Sequence, residues 1–195
     1  MEGDSMQTEE RKSEIIVFAG PNGSGKSTVT KLARVIEPYI NADDIKRTIH
    51  CSDMEAAIKA EELREAALSE QSDFTFETVL STDRNIKLLK RAKEKGYFIR
   101  CIYVLTENPG INEIRVLARE SHGGHGVPPE KIRSRYDRCL KLIPALVEIC
   151  DVMHIYDNSK EPYRIFKKRK SAYFYWENEF WNKSRIEELT GKKLY

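Results

Sequence analysis

A phosphate-binding pattern lies near the N-terminal end of the chain. Two glycines flank four residues and are followed at once by lysine and serine, over Gly20, Pro21, Asn22, Gly23, Ser24, Gly25, Lys26, Ser27 and then Thr28. Glycines let backbone N–H groups turn inward onto phosphate oxygens, and a helix that follows brings the positive end of its dipole. In this pattern Lys26 reaches the β and γ phosphates and the Ser27 hydroxyl ligates Mg²⁺. The sequence therefore predicts a site for ATP with Mg²⁺.

The residues on either side of this pattern supply the strand and the helix that it requires. Residues 15–19 form an apolar run, and a helical pattern follows, with one apolar face made of Val29, Leu32, Ala33 and Ile36. A glycine-rich turn alone can be only a turn, whereas the strand–loop–helix order favours a nucleotide site. We expect the helix to end near Pro38, which cannot continue it.

Acidic side chains follow two further predicted strands. Residues 39–41 lead to Asp43 and Asp44, and residues 74–76 lead to Glu77. Two more strands are predicted at residues 97–105 and 151–156. Five strands separated by helices predict an α/β fold, a doubly wound sheet of about five parallel strands with helices on both faces. Because ligands of such sheets bind beyond the carboxyl ends of the strands, the acids and the glycine loop should share one site.

Arginines that could close on phosphate come from two later helices. The first, residues 112–120, carries Arg115 and Arg119, and the loop of residues 122–126 follows it. A helix from Pro129 has an apolar stripe that Arg133 and Arg135 flank on either side, while Arg138 points away from it. We therefore assign Arg119, Arg133 and Arg135 to the site, and leave Arg115 and Arg138 on the solvated surface.

The C-terminal part predicts a β-hairpin and a short helix. The hairpin strands are residues 163–166 and 172–176, joined by the basic run of residues 167–170, which we interpret as a solvated turn. A short helix is expected from Ser184 onward. Residues 1–14 have little apolar content and predict a flexible tail, so that residues 15–195 form a single domain.

Composition narrows the classes of partner. The chain has 195 residues, with 33 basic and 31 acidic side chains and a net charge of +2, so no global field favours nucleic acid or a membrane surface. No apolar stretch approaches the length of a membrane span, and the polar N-terminus is not a signal peptide, so we expect a cytoplasmic protein. The four cysteines lack the close pairs of a zinc site and are expected to be free thiols.

Several segments, taken in order, resemble the zeta toxin family in its short, stand-alone branch. The resemblance spans about residues 15–159 and rests on five motifs: the loop of residues 20–28, Ile40-Asn41-Ala42-Asp43, Glu77-Thr78, Gly123-Gly124-His125 with Val127-Pro128 and Arg133-Ser134-Arg135-Tyr136, and Tyr156-Asp157-Asn158-Ser159. Individually only the glycine loop is specific, but together the set is strong.

The resemblance implies a P-loop kinase fold akin to shikimate, adenylate and polynucleotide kinases. Its implied reaction moves a phosphoryl group from ATP, with Mg²⁺, to a sugar hydroxyl of the nucleotide sugar UDP-N-acetylglucosamine, and its implied partner is a small antitoxin protein. By position in the motifs, Lys26 binds phosphate and Asp43 meets the substrate hydroxyl. Glu77 helps to hold substrate or metal, and Arg119 closes on the phosphates.

Alternatives remain open at the level of the residues. Asp43 could instead cap the following helix, with Asp44 as the working acid, and Glu77 could be a structural hydrogen-bonding partner. A polynucleotide kinase or another small-molecule kinase would use the same loop and acid. A P-loop ATPase or nucleotide-binding module without an acceptor would share the loop alone.

Overall fold

A single mixed sheet forms the centre of the computed structural model, which describes residues 11–121 and 127–195. The strand order is β2-β3-β1-β4-β5-β6-β7, and the first five strands in this order run parallel. Strand β6 is antiparallel to β5, and β7 is antiparallel to β6. The strand bounds are β1 Glu14–Ala19, β2 Tyr39–Ile40, β3 Phe74–Thr78, β4 Phe98–Leu105, β5 Val152–Asp157, β6 Tyr163–Arg169 and β7 Ala172–Tyr175. The predicted α/β class, the five parallel strands and the C-terminal hairpin are confirmed, and the hairpin continues the main sheet.

Eight helices connect and cover these strands within the described ranges. They are α1 Lys26–Thr30, α2 Ala42–Ile49, α3 Asp53–Ser69, α4 Arg84–Glu94, α5 Pro109–Ser121, α6 Pro129–Lys141, α7 Ile143–Ile149 and α8 Lys183–Thr190. Local sequence explains several ends: Ser52 and Glu55 form a capping box at the start of α3, and Gly96 follows α4 with a φ of 86°. Pro144 lies in the first turn of α7, where a missing N–H costs nothing.

The central strands position the site. Strands β1 and β3 carry consecutive buried side chains, among them Ile15 and Phe74, as expected of parallel strands covered on both faces, whereas β4 is buried at alternate positions such as Ile99 and Cys101 before it becomes continuously buried toward Leu105. Ala19, the last residue of β1, pairs with Thr78 of β3 and Tyr103 of β4. The carboxyl ends of these strands therefore reach the same edge of the sheet, and the loops that follow them lie side by side.

The helix after the glycine loop is shorter than predicted. It ends at Thr30 and the chain continues in turns, so Leu32, expected on the packed face, is 83% exposed. The residues from 28 to 36 include Thr28, Val29 and Thr30, and β-branched side chains of this kind have lower helix propensity. The predicted apolar face past Val29 is therefore wrong.

The basic run is also not a solvated turn. Residues 167–169 belong to β6, and Lys168 is buried, with its Nζ donating hydrogen bonds to the carbonyl oxygens of Val147 and Glu148 at the end of α7. Cations are favoured at helix C-termini because the last carbonyls lack intrahelical partners.

Residues 11–14, which the sequence assigned to the tail, make contacts with the sheet and the residues around it. Glu14 already belongs to β1, Ser13 accepts a backbone hydrogen bond from Phe98 at 2.8 Å, and Arg11 pairs with Asp73. Residues 1–10 of the predicted tail and the predicted loop of residues 122–126 lie outside the described residues. Within the described ranges, no helix combines the length and apolarity needed to cross a membrane. All four cysteines are free thiols, and Cys101, Cys139 and Cys150 are buried.

Candidate functional site

The loop between β1 and α1 has a conformation that only glycines allow. Gly23 and Gly25 have φ angles of 77° and 88°, in the left-handed region. A Cβ atom on Gly25 would lie 2.1 Å from Nδ2 of Asn158, and one on Gly23 would lie 2.5 Å from the carbonyl oxygen of Asn112. The amides at the start of α1 have no partner inside the helix. The loop thus has the shape and the donors of a phosphate cradle, and it fits a triphosphate.

Two buried asparagines hold this loop from behind. Asn112 of α5 donates from Nδ2 to the carbonyl oxygen of Asn22 at 2.6 Å, and its Oδ1 accepts a hydrogen bond from Thr106. Asn158, directly after β5, donates from Nδ2 to the carbonyl oxygen of Ser24 at 2.8 Å. Asn112 was not predicted as part of the site, although a polar residue four positions before Val116 on the buried side of a helix was a usable signal.

Lys26 is buried beneath the loop. Its Nζ donates to the carbonyl oxygens of Gly20 at 2.8 Å and Pro21 at 3.2 Å, and lies 3.9 Å from Oε1 of Glu77. Burial lowers the pKa of Lys26, and the negative charge of Glu77 acts in the opposite direction. The ammonium group therefore depends on these acceptors to remain charged in a dry site.

Glu77 is the last residue but one of β3, and its carboxylate lies between the glycine loop and β2. Its Oε2 accepts a hydrogen bond from the Tyr39 hydroxyl at 2.9 Å and a long one from Asn41 Nδ2 at 3.5 Å. Burial, followed by the charge of Glu77, raises the pKa of Tyr39, so this hydroxyl remains a donor. Glu77 is thus fixed between Lys26 on one side and Tyr39 on the other.

The two aspartates after β2 have different environments. Asn41 caps α2, its Oδ1 accepting from the Asp43 amide at 2.9 Å, so Asp43 does not act as the cap. Asp44 forms an ion pair with Arg47 on the same helix. The side chain of Asp43 is exposed and lines two cavities.

These cavities adjoin, because Ala42, Asp43 and Val79 line both of them. The larger, which we call the loop cleft, has a volume of about 530 Å³ and is also lined by Asn22, Arg119 and Arg135. The smaller, which we call the inner pocket, has a volume of about 220 Å³ and is lined by Asn41, Ala57, Ala60, Arg64, Glu77, Thr78 and Asn85 as well.

The predicted arginines are divided between two places. Arg119 and Arg135 border the loop cleft, and Nη1 of Arg135 donates to Oδ1 of Asn22 at 3.4 Å. Arg133 instead forms an ion pair with Glu113 of α5 and is not among the residues that line the cleft. The apolar stripe of α6 has two flanks, and only the flank with Arg135 faces the loop. Ser27 and Thr28 are exposed at the start of α1, and Arg115 bonds to the carbonyl oxygen of Ser159 at 3.0 Å.

The parallel sheet, the glycine loop and the buried lysine define a protein with the fold of the P-loop kinases. A model of the zeta toxin family matches residues 2–171, and the chain belongs to this family. It is also 30% identical, over 131 residues, to an uncharacterized protein of Haemophilus influenzae, a match that covers 64% of this chain and 94% of that relative. The family and the fold together support a phosphotransferase that binds ATP.

Solved structures show the same fold. One, from the PezAT chromosomal toxin–antitoxin system of Streptococcus pneumoniae, has a TM-score of 0.56 at 17% identity and covers 80% of this chain and 71% of that chain. Another, from the AvrRxo1-ORF1:-ORF2 complex with ATP, has a TM-score of 0.67 at 13% identity and covers 92% of this chain and 64% of that chain. At such identities the similarity concerns the fold alone.

Proposed function

We propose that this protein is an ATP-dependent kinase that phosphorylates a sugar hydroxyl of a nucleotide sugar such as UDP-N-acetylglucosamine. We also propose that it is the toxin of a pair, neutralised by a small antitoxin protein. The observation that carries the kinase proposal is the position of Asp43, which lines both the loop cleft and the inner pocket. A carboxylate at this junction can accept the proton of an acceptor hydroxyl in the inner pocket, next to a γ-phosphate in the loop cleft.

The reaction needs alignment and neutralisation of charge more than covalent chemistry. The acceptor oxygen attacks the γ-phosphorus, the bond from that phosphorus to the β–γ bridging oxygen breaks, and ADP leaves. The proton of the acceptor hydroxyl passes to Asp43. Lys26, together with Arg119 and Arg135 at the cleft, balances the negative charge that develops on the leaving group.

The proposal includes Mg²⁺, which a residue of the glycine loop would hold. The Ser27 hydroxyl, exposed at the start of α1, would hold the ion together with the phosphate oxygens. When bound, Mg²⁺ neutralises charge on the β and γ phosphates. Glu77 orients Lys26 from below, since its carboxylate lies 3.9 Å from Nζ.

The environment of the two acids favours Asp43 over Asp44 as the base. Asp44 is held by Arg47 and lines neither cavity, whereas Asp43 lines both. An ordinary carboxylate suits this role, because the proton leaves late in a loose transition state.

The test is incubation with γ-labelled ATP and Mg²⁺ and a panel of acceptors. We expect label on UDP-N-acetylglucosamine or another nucleotide sugar, a loss of roughly 100-fold or more in Asp43→Asn, and most of the turnover retained in the matched control Asp44→Asn. Label on 5′-hydroxyl oligonucleotides would identify a polynucleotide kinase. Phosphate release without any acceptor would identify an ATPase, and full turnover by Asp43→Asn would remove Asp43 from the mechanism.

A further inference from the structure

One arginine in the wall of the inner pocket has no role in the mechanism above. Ala57, Ala60 and Arg64 lie on α3 at spacings of three and four residues, which places them on one side of the helix, and all three line the pocket. The two alanines leave space where larger side chains would fill it. Arg64 therefore borders an open volume and not a packed interface.

Arg64 is buried but makes no polar contact. Its side chain is 9% exposed, its Nε is buried without a partner, and none of its nitrogens forms a hydrogen bond or an ion pair with any residue in 11–121 or 127–195. The guanidinium lies 5.4 Å from the ring centroid of Phe76. Burial lowers the pKa of Arg64. A buried N–H donor without an acceptor is costly, so a ligand in the pocket that accepts from Nε of Arg64 would be stabilising.

The nearest carboxylates on α3 are engaged elsewhere. Glu61 accepts a hydrogen bond from Arg84 at 3.4 Å, and Glu65 accepts one from Arg91 at 3.0 Å, both from the neighbouring helix α4. The described residues that line the inner pocket include one cation, Arg64, and two carboxylates, Asp43 and Glu77, of which Glu77 lies 3.9 Å from Nζ of Lys26. The planar fork of N–H groups of Arg64 matches two oxygens of a phosphate or a carboxylate.

We propose that Arg64 binds an anionic oxygen group of the acceptor, a phosphate or a carboxylate, inside the inner pocket, while Asp43 at the pocket mouth meets the acceptor hydroxyl. This inference rests on the proposed kinase function and names the class of acceptor: a hydroxyl compound that carries an anion. With about 220 Å³, the pocket is smaller than a whole ligand site of roughly 300–1,000 Å³, so it holds one end of the acceptor. Arg64 is thus a residue of substrate specificity.

The first test measures anion binding without turnover. With ADP and Mg²⁺ occupying the glycine loop, inorganic phosphate and acetate are titrated separately, and binding is followed by calorimetry and by the melting temperature. We expect saturable binding of phosphate or acetate to the wild type, weakened at least about tenfold in Arg64→Met and unchanged in the control Arg91→Met, which removes an exposed arginine of α4. The stronger of the two anions identifies the group.

Two outcomes of this titration would overturn the proposal: equal binding by the wild type and Arg64→Met, or no binding by the wild type. Folding is monitored in the same experiment. Methionine keeps an apolar chain against Phe76, so without anion Arg64→Met should melt no lower than the wild type, whereas a purely structural arginine would lower the melting temperature when removed.

The second test uses turnover with any acceptor that becomes labelled. Arg64→Met should raise KM for that acceptor at least about tenfold and leave KM for ATP unchanged, and Arg64→Lys should recover part of the loss. An equal rise in both KM values would contradict a specificity role. If no acceptor is labelled, the kinase proposal fails, and the anion titration still decides whether Arg64 is an anion site.

Discussion

The contacts of the buried Lys26 bear both on the stability of the loop and on the proposed function. Its ammonium has three oxygen neighbours, the carbonyls of Gly20 and Pro21 and the carboxylate of Glu77. Burial lowers the pKa of Lys26 and the charge of Glu77 opposes this shift, while hydrogen-bond acceptors in general favour the charged form. Binding of a phosphate group requires the charged form of Lys26. The loop carbonyl oxygens and the carboxylate of Glu77 therefore hold the ammonium group of Lys26 at the place where a triphosphate would lie.

Replacing this cation should abolish activity without unfolding the protein. We expect Lys26→Ala to lose on the order of 100-fold or more in ATP turnover, because one fixed charge opposite the developing negative charge is removed. Circular dichroism should remain that of the wild type. The matched control is Lys31→Ala, which removes an exposed lysine just after α1.

The same pair of variants tests the toxin proposal. Host cells that express the wild type or Lys31→Ala should stop growing, and cells that express Lys26→Ala should grow normally. Turnover by Lys26→Ala at the wild-type rate would contradict the role of the lysine, and equal growth in all three cultures would contradict toxicity.

At the scale of elements, α6 presents two arginines to different neighbours. Arg135 faces the glycine loop, where it bonds to Asn22, and Arg133 faces α5, where it pairs with Glu113. The two residues are two positions apart, about 200° around the helix, so they cannot both reach one cleft. Arg135 borders the loop cleft, and Arg133 joins α6 to α5.

This division predicts opposite effects for matched substitutions. Arg135→Met should lower turnover on the order of 100-fold, since a donor at the phosphate cleft is lost. Arg133→Met should leave turnover unchanged and lower the free energy of unfolding only slightly, because its guanidinium is exposed and solvent screens its ion pair with Glu113. Steady-state kinetics and urea unfolding of both variants provide the measurement. A large loss of turnover in Arg133→Met would return that residue to the site.

The sequence predicted those elements that local pattern determines. Residues 15–19 and 97–105 are apolar runs bounded by clear turn signals, and both became central strands. The glycine loop and the acids at strand ends followed from these strands, since parallel topology brings their carboxyl ends to one edge. The pattern alone left open whether Asp43 caps α2, and the structure has Asn41 as the cap.

Other features depended on contacts between distant segments. Asn112 lies behind the loop 90 positions earlier, and the choice between Arg133 and Arg135 needed the position of α5. The basic run predicted that Lys168 is solvated. Its partners are backbone carbonyl oxygens at the C-terminal end of α7, and a pattern of charges in the sequence does not indicate such partners. Arg64 lies on a charged helix, and its place in the wall of the inner pocket comes from the packing of α3 against the sheet. Side-chain type is local, but burial and partners come from the tertiary fold.

At the scale of the whole molecule, one face of the sheet is only partly covered. Because α1 ends at Thr30, the outer side chains of β4 and β5 border a cavity of about 360 Å³ that is also lined by the exposed Leu32. His154 lies in this cavity wall and stacks on Tyr156 with ring centroids 6.2 Å apart. Its Nδ1 is buried and has no hydrogen-bond partner among the described residues. Burial, then the positive charges of Arg164, Lys167 and Arg100, lowers the pKa of His154 to about 4.

This shift should make the folded protein less stable as the pH falls. In the unfolded chain a histidine has a pKa of about 6.5, so between pH 6.5 and 4 the unfolded state takes up a proton that the native state does not. The contribution of His154 to stability is therefore fully present above about pH 6.5 and is lost progressively as the pH falls toward 4. After allowance for solvent screening at this half-buried site, the loss between pH 7.5 and pH 5 should be roughly 1 kcal/mol.

Urea unfolding at both pH values isolates this contribution through a variant that cannot titrate in this range. In His154→Gln, the decrease in the free energy of unfolding from pH 7.5 to pH 5 should be smaller than in the wild type by roughly 1 kcal/mol. Carboxylates that titrate near pH 5 affect both proteins equally, so they cancel in the difference. His50→Asn, at an exposed position, controls for the loss of a histidine as such. If the wild type and His154→Gln lose the same free energy, His154 takes up its proton equally in both states, and the three cations around it do not control its charge.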